Sequence, residues 1–263
     1  MKNAIIIVNY NDYKTTIKLI ENIKNYSILD KIIVVDNKST DESLIKLESY
    51  NSKKLLVLEA GENKGYSFAM NIGARYAIDL FGECNLIFSN ADIIIDAEED
   101  LKELIRHLND KNVIVAPNII ENNEINRGWI IPKPMDDVML NIPYFHRKYF
   151  DKHLKYSDTY YDKEISKVDT VSGCFFTMTS YHYKEIEGFD EGVFLYYEEN
   201  IFGLKTKKLN KNIIVVNEID VYHNHSISID KSLKRLNKLA IQKKSQRYFE
   251  KKYNHANIFE MFL

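Results

Sequence analysis

The sequence predicts an α/β domain with a mostly parallel central sheet and helices on both faces. Two observations carry this expectation. Short runs of consecutive apolar, largely β-branched residues recur through the first 118 positions, as suits strands covered on both faces. Between them lie stretches with apolar residues at helical spacing, and a β-α-β-α order leads to parallel strands joined by right-handed crossovers.

The strand runs fall at 4–8, 31–36, 55–59, 85–90 and 112–117. The helical stretches fall at 14–24, with Ile17, Ile20 and Ile23 on one face; at 66–81, with Ala69, Ile72, Gly73, Tyr76, Ala77 and Leu80; and at 98–109, with Leu101, Leu104, Ile105 and Leu108. From 118 to about 167 the pattern dissolves into Asn, Pro, Asp and Tyr. A stretch of that length is expected to be a substrate-facing or mobile segment rather than an inert connector. Order returns with a strand pattern at 168–180, a helix at 181–187, a turn at Gly188-Phe189-Asp190, a second helix from about Tyr197, and a last strand at 215–225.

Composition narrows the function. The 36 Lys and Arg against 38 Asp and Glu leave a net charge of -2, so there is no basic field to attract nucleic acid, and no nucleic-acid partner is expected. The two cysteines, Cys84 and Cys174, sit in apolar runs and read as buried reduced thiols, which favours a reducing, cytoplasmic compartment. The first apolar run is too short for a signal peptide, and no stretch approaches the ~20 apolar residues of a membrane span.

Several short motifs stand at strand ends. Asp36 closes the second strand, at the carboxyl edge where ligands of parallel sheets bind, and could accept hydrogen bonds from a base or ribose; Ser39 and Glu42 equally read as a capping box for a helix at 42–50. Asn63-Lys64-Gly65 enters the helix carrying Asn71 and Gly73. Gly65 would allow close backbone approach to an anion at the helix start, although a turn glycine and a packing glycine give the same letters. In extended chain Asn90 and Asp92 point the same way and could meet one divalent cation, Mn²⁺ or Mg²⁺; a polar strand-terminal turn is the plain alternative. Glu198-Glu199 follows an aromatic run, a setting that raises a carboxyl pKa toward that of a useful base, whereas a negatively charged first helical turn would look alike. His223-Asn224-His225 repeats the period-two geometry of a metal pair, and either ring could instead be an ordinary surface histidine.

The order of these pieces, Ile5-Ile6-Ile7-Val8-Asn9-Tyr10-Asn11, Val34-Val35-Asp36-Asn37-Lys38-Ser39-Thr40-Asp41, Asn63-Lys64-Gly65 with Asn71-Ile72-Gly73, and Asn90-Ala91-Asp92, resembles family-2 glycosyltransferases of the GT-A fold. The second half resembles the rhamnosyltransferase-like members through Ser172-Gly173, Gly188-Phe189-Asp190-Glu191, Phe194-Leu195-Tyr196-Tyr197-Glu198-Glu199 and His223-x-x-Ser226-x-Ser228. The resemblance covers about residues 4–228.

It implies an inverting enzyme that moves a sugar from a UDP- or dTDP-linked donor to a hydroxyl of a glycan or lipid-linked saccharide, in bacterial surface polysaccharide synthesis. The nucleotide-sugar would touch Asn9, Tyr10, Asn11, Asp36, Asn37, Ser39, Asn63, Lys64, Gly65, Asn71, Asn90, Ala91 and Gly173. Asp92, with His223 and His225, would hold Mn²⁺ or Mg²⁺, and Glu199 would be the base, with Glu198 the second candidate. Glu199 stands where the family usually has Asp, Asn90 where a carboxylate is frequent, and Ile201-Phe202 replace a further Asp. A sugar-phosphate nucleotidylyltransferase is disfavoured because Asn9-Tyr10-Asn11-Asp12 stands in place of its glycine- and arginine-rich loop. A non-catalytic nucleotide-sugar-binding protein is the remaining alternative.

The expected organisation is a nucleotide-sugar-binding half at 1–118, an acceptor-binding and catalytic half of the same domain at 119–230, and a basic helical extension at 231–263. Residues 231–252 combine nine Lys or Arg with Leu233, Leu236, Leu239 and Ile241. Such a helix either lies on an anionic leaflet or packs on the domain through its leucines; the resemblance tips the expectation toward peripheral contact with the cytoplasmic face of the inner membrane. Nothing in the sequence fixes the oligomeric state.

Overall fold

In a computed structural model that describes residues 1–142, 144–224 and 235–257, the chain forms a ten-stranded mixed sheet covered by helices. The first half alternates β1 (Lys2–Asn9), α1 (Tyr13–Ile23), β2 (Lys31–Asp36), α2 (Ser43–Glu48), β3 (Leu55–Glu59), α3 (Tyr66–Phe81) and β4 (Cys84–Asn90). After the short β5 (Ile93–Ile94) come α4 (Glu98–Arg106), β6 (Asn112–Glu121), β7 (Glu124–Asn126), β8 (Gly128–Trp129), α5 (Pro134–Leu140) and α6 (His146–His153). The chain continues through β9 (Ile165–Val168), β10 (Thr170–Val171), β11 (Phe175–Thr179), α7 (Ser180–Glu185), α8 (Glu198–Lys208), β12 (Asn212–His223) and α9 (Arg235–Lys252).

The spatial order is β3-β2-β1-β4-β11-β6-β12-β5, with β7 on β6 and β9 on β12. β1 to β4 run parallel, as do β6 and β12, whereas β11 is antiparallel to both β4 and β6 and joins the two groups. One sheet therefore continues across position 118, and the two halves share a single core framework. β1 shows why its sequence is apolar throughout: Ala4 and Ile6 join a cluster under α3, while Ile5 and Ile7 join the opposite cluster with Leu19, Ile20 and Ile23 of α1. Gly73 lets α3 lie close to the sheet, since a Cβ there would meet Ile6 Cγ2 at 2.4 Å.

The stretch 118–167, which shows no periodic pattern in the sequence, carries regular structure. Its first residues extend β6 into a hairpin with β7, and α5 and α6 follow. The helix expected at 42–50 is shorter, and no capping box opens it: the Ser39 hydroxyl turns back to Asp36, and Asp41 Oδ1 accepts the Ser43 amide instead. β12 starts earlier than expected and ends at His223. No helix among the described residues is long and apolar enough to cross a membrane.

The second half of α9 packs inward through Ser245, Gln246, Phe249 and Glu250, while Leu239 is 46% exposed. Phe249 joins Ile131, Val193 and Ile201 in a third apolar cluster, and the Ser245 hydroxyl donates to the Leu195 carbonyl at 2.7 Å.

Candidate active site

The carboxyl ends of β1, β2 and β4 lie side by side, because the register pairs Asn9 with Asp36 and Val8 with Asn90. At this edge Asp36 is 1% exposed, and its carboxylate accepts from Asn9 Nδ2 at 2.8 Å, the Ser39 amide at 2.9 Å and the Ser39 hydroxyl at 2.6 Å. Asp36, read from the sequence as an acceptor for a base or ribose, here fixes Asn9 and Ser39, and Ser39 Oγ in turn accepts the Asn11 amide at 2.9 Å. Thr40 N–H donates to Asn11 Oδ1 at 2.7 Å, which ties the β1 and β2 loops together. Asn11 and Lys38 both adopt left-handed backbone, at φ 54° and 61°, and Tyr10 and Asn11 are half-buried along the rim.

Asn37 donates to Asn63 Oδ1 at 3.1 Å and to the Gly65 carbonyl at 3.2 Å. Its own Oδ1 is buried with no hydrogen-bond partner among the described residues, an acceptor left over at the nucleotide edge. Lys64 is exposed and pairs with Glu62. Gly65 has φ 102°, and a Cβ there would lie 2.1 Å from the Phe194 carbonyl oxygen. The close approach that requires glycine is thus to the loop before Glu198, and Tyr66 N–H donates to that same carbonyl. Asn71 is corrected more fully: at 5% exposure it binds the backbone of Phe189, the Tyr183 hydroxyl and Glu191, and so holds the 189–191 turn rather than a ligand.

Asn90 and Asp92 are not related by strand periodicity, because β4 ends at Asn90 and a turn follows. Asp92 is placed by pairing across the sheet edge: Ile93 opposes His223, and the Asn224 amide donates to the Asp92 carbonyl at 3.0 Å. This sets His223 Nε2 3.2 Å from Asp92 Oδ1 and His223 Nδ1 3.7 Å from Glu121 Oε2. Burial alone would lower the His223 pKa, but the bond from Asp92 and the charges of both carboxylates outweigh it and raise the value. His225 lies outside the described residues. Glu121 gave no signal in the sequence, standing in a stretch without pattern; only the pairing of β6 with β12 brings it here.

Glu198 and Glu199 open α8 directly after Tyr196 and Tyr197, both left-handed at φ 71°, a costly conformation for two non-glycine residues in succession. Glu198 is 5% exposed, and its Oε2 has no hydrogen-bond partner among the described residues; burial, with the Glu199 charge second, pushes its pKa well above the carboxylate range. Glu199 is half-buried and accepts the Gly173 amide at 3.3 Å; burial raises its pKa, and that amide opposes the rise. A Cβ at Gly173 would crowd Glu199 Oε1 at 2.9 Å. The next carbonyl, that of Cys174, accepts the Asn90 amide at 2.7 Å, so Glu199 is joined to the β4 edge through one short loop.

Tyr66, which sequence reasoning missed, donates to the Gly173 carbonyl at 2.9 Å, and its phenol is pushed up first by burial and then by Glu198, Cys174, Glu199 and Asp92. Cys174 is buried beside Asp92 and Glu199, and its thiol is pushed up to about 12, mainly by burial. Both Cys174 and Cys84 are free and buried, as the sequence predicts.

A divalent cation fits this arrangement by donor chemistry, because Asp92 and His223 bring one carboxylate oxygen and one imidazole nitrogen within 3.2 Å of each other.

A curated relative, the low-salt glycan biosynthesis hexosyltransferase Agl10 of Haloferax volcanii, is 28% identical over 231 residues, covering 85% of this chain and 67% of that protein. Among solved structures, GalNAc-T7 with UDP, GalNAc and Mn²⁺ superposes with a TM-score of 0.68 at 16% identity, over 95% of this chain and 48% of that one. The mannosyltransferase PcManGT of Pyrobaculum calidifontis, in complex with GDP-Man and Mn²⁺, gives 0.58 at 15% identity, over 86% of this chain and 58% of that one. TarS 1–349 of S. aureus gives 0.55 at 19%, over 97% and 73%. The chain thus spans about half the length of the first of these structures, and the likenesses establish a GT-A fold. The profile of the family described as Glycosyl transferase family 2 matches residues 4–184, more than half of the sequence, so the chain belongs to that family.

Proposed function

We propose that the protein is an inverting hexosyltransferase that moves a sugar from a UDP- or dTDP-linked donor to a hydroxyl of a glycan or lipid-linked saccharide in surface glycan assembly. The observation that carries the reading is the convergence of Asn9, Asn37 and Asn63 at the carboxyl edge with the Asp92–His223 pair and a half-buried Glu199 joined to that edge through Gly173 and Cys174. The hexosyl donor class is supported by Agl10 being a hexosyltransferase, and the nucleotide-diphosphate chemistry by UDP and GDP-Man in the two structural relatives.

In this mechanism Glu199 accepts the proton of the acceptor hydroxyl as its oxygen bonds to the anomeric carbon. The bond from that carbon to the diphosphate oxygen breaks on the opposite face, which inverts the configuration and needs no covalent enzyme intermediate. A divalent cation held by Asp92 and His223 would supply the charge that neutralises the diphosphate. The raised pKa of Glu199 makes it a stronger base than an exposed carboxylate, and the Gly173 amide orients the oxygen that takes the proton. Asn37 and the turns around Asn11 and Lys38 hold the nucleoside end, while Asn9 braces Asp36 and Ser39 behind them.

A hydrolysis and thermal-shift screen against UDP-, dTDP- and GDP-sugars, with and without Mn²⁺, tests this. Stabilisation by one nucleotide series that depends on the metal is expected, with slow sugar release by the wild type and none by Glu199→Gln. Failure of every nucleotide sugar to stabilise the protein would overturn the proposal.

A further inference from the structure

The imidazole of His223 is held between two carboxylates, one from the β4–β5 turn and one from β6, and only one of them can share a ligand with it. Asp92 faces Nε2 and Glu121 faces Nδ1. All three side chains are largely enclosed, at 10% exposure for His223, 11% for Asp92 and 18% for Glu121. Their meeting is dictated by the sheet: Tyr222 opposes Ile120 of β6 on one side and Ile94 of β5 on the other, so the next residue, His223, falls between Glu121 and the β4–β5 turn.

We propose that Glu121 is a positioning residue for the cation site, drawing the His223 proton to Nδ1 so that Nε2 keeps its lone pair beside Asp92. This rests on the reading of Asp92 and His223 as a divalent-cation pair. The chemistry is that of a neutral imidazole, which has one N–H and one lone pair. If Nε2 carries the hydrogen it donates to Asp92 Oδ1, and the ring nitrogen is closed to a metal. If Nδ1 carries it, Nε2 and Asp92 Oδ1 become two donors on one side of the ring. An acceptor at Nδ1 decides between these tautomers, and a carboxylate is the strongest one available. The present 3.7 Å separation is an electrostatic contact, and a small rotation of the glutamate would bring it within hydrogen-bond range. Glu121 is not a co-ligand with Nε2, since it stands at the other ring nitrogen.

Two measurements on the full-length protein test the role. Mn²⁺ binding, followed by the EPR signal of the free aqua ion, is compared in wild type, Asp92→Ala, Glu121→Ala and Glu121→Gln, each checked for an unchanged far-UV CD spectrum. A loss of 10- to 100-fold in affinity is expected for Glu121→Ala, the range typical of partners that orient a ligating histidine, with a smaller loss for Glu121→Gln, whose amide oxygen still accepts from Nδ1. Two-bond ¹⁵N–¹H spectra of the histidine rings with Mg²⁺ present then read the tautomer directly. His223 is expected as the Nδ1–H form in wild type and Glu121→Gln, and not in Glu121→Ala. If Asp92→Ala abolishes Mn²⁺ binding while Glu121→Ala stays within twofold or keeps the Nδ1–H form, the role of Glu121 is overturned and the cation pair stands. If Asp92→Ala leaves binding unchanged, the cation pair itself is wrong and the proposal falls with it.

Discussion

Two adjacent carboxylates at the start of α8 line one small cavity with Val171, Phe176, Phe189 and Phe202, and they differ in exposure and in partners. Glu199 is half-buried and has a fixed donor in the Gly173 amide, whereas Glu198 is 5% exposed and its Oε2 has no hydrogen-bond partner among the described residues. Glu199→Gln is expected to lower kcat by ~10²–10⁴ with little change in donor KM, as for loss of a general base. Because a base must be unprotonated and burial raises this one, kcat should fall as pH drops through a value above 4.5, and that acid limb should vanish in the variant; pH-rate profiles decide it. Glu198 is a carboxyl buried without a partner for Oε2, so Glu198→Met should leave the melting temperature unchanged or raise it, because it removes an unsatisfied polar group of similar volume. A larger kcat loss in Glu198→Gln than in Glu199→Gln would reverse the assignment.

At the scale of elements, α9 braces the segment that leads to the two glutamates. Asp190, in the turn that leads toward the two glutamates, accepts from Lys252 Nζ at 2.8 Å, from the Tyr248 hydroxyl at 3.0 Å and from the Tyr253 hydroxyl, all on or just after α9. Phe249 packs 5.4 Å from the Tyr197 ring, and Ser245 binds Leu195, so the whole run 190–197 is clamped from one side. The strained pair Tyr196 and Tyr197 persists because its neighbours are fixed in this way. Burial would raise the Asp190 pKa, but the bonds from Lys252, Tyr253 and Tyr248 and from the Gly192 amide outweigh it and hold the value at about 2. A depressed carboxylate contributes stability that is complete above its unfolded value near 3.8 and is lost as pH falls through about 2. Wild type should therefore lose its advantage over Asp190→Asn between about pH 4 and pH 2, with the two unfolding free energies converging at the acid end. Hydrogen exchange should show faster opening of 190–199 in the variant at neutral pH, together with a reduced kcat. Equal exchange and equal kcat would show that the clamp does not support the site.

For the whole molecule, the unresolved question from the sequence was whether the basic C-terminal segment meets a membrane. Tertiary packing changes how it must be tested. Deletion of the segment would remove the clamp on 190–197, so charge reversal on the outer face is the better probe. Lys243, Lys244, Arg247 and Lys251 are exposed there, opposite Phe249. If this face lies on an anionic leaflet, with each cation contributing ~1 kcal/mol, the protein should sediment with vesicles rich in anionic lipid at low salt and be released at high salt. Reversal of Lys243, Lys244 and Arg247 to Glu should abolish sedimentation and leave the melting temperature within a degree or two. Absence of sedimentation by wild type at low salt removes the peripheral-membrane reading.

The α/β class, the strands β1 to β4, the helices between them and the crevice at their carboxyl ends were all legible in the sequence, because each rests on local periodicity and on residues that follow a strand directly. The glutamate pair was legible for the same reason, standing at a helix start after an aromatic run. What the sequence left open was decided by contacts between distant segments. Asn71 read as a ligand residue, yet packing turns it onto Phe189 and Tyr183. Gly65 read as a place for a phosphate, yet it accommodates the Phe194 carbonyl. The metal pair was sought by period-two spacing within 90–92 and 223–225, whereas the observed partners come from the β4–β5 turn, β6 and β12. Local spacing fixes which face of a strand a side chain takes. Only strand pairing, which joins residues about a hundred positions apart, brings Asp92, Glu121 and His223 to one point.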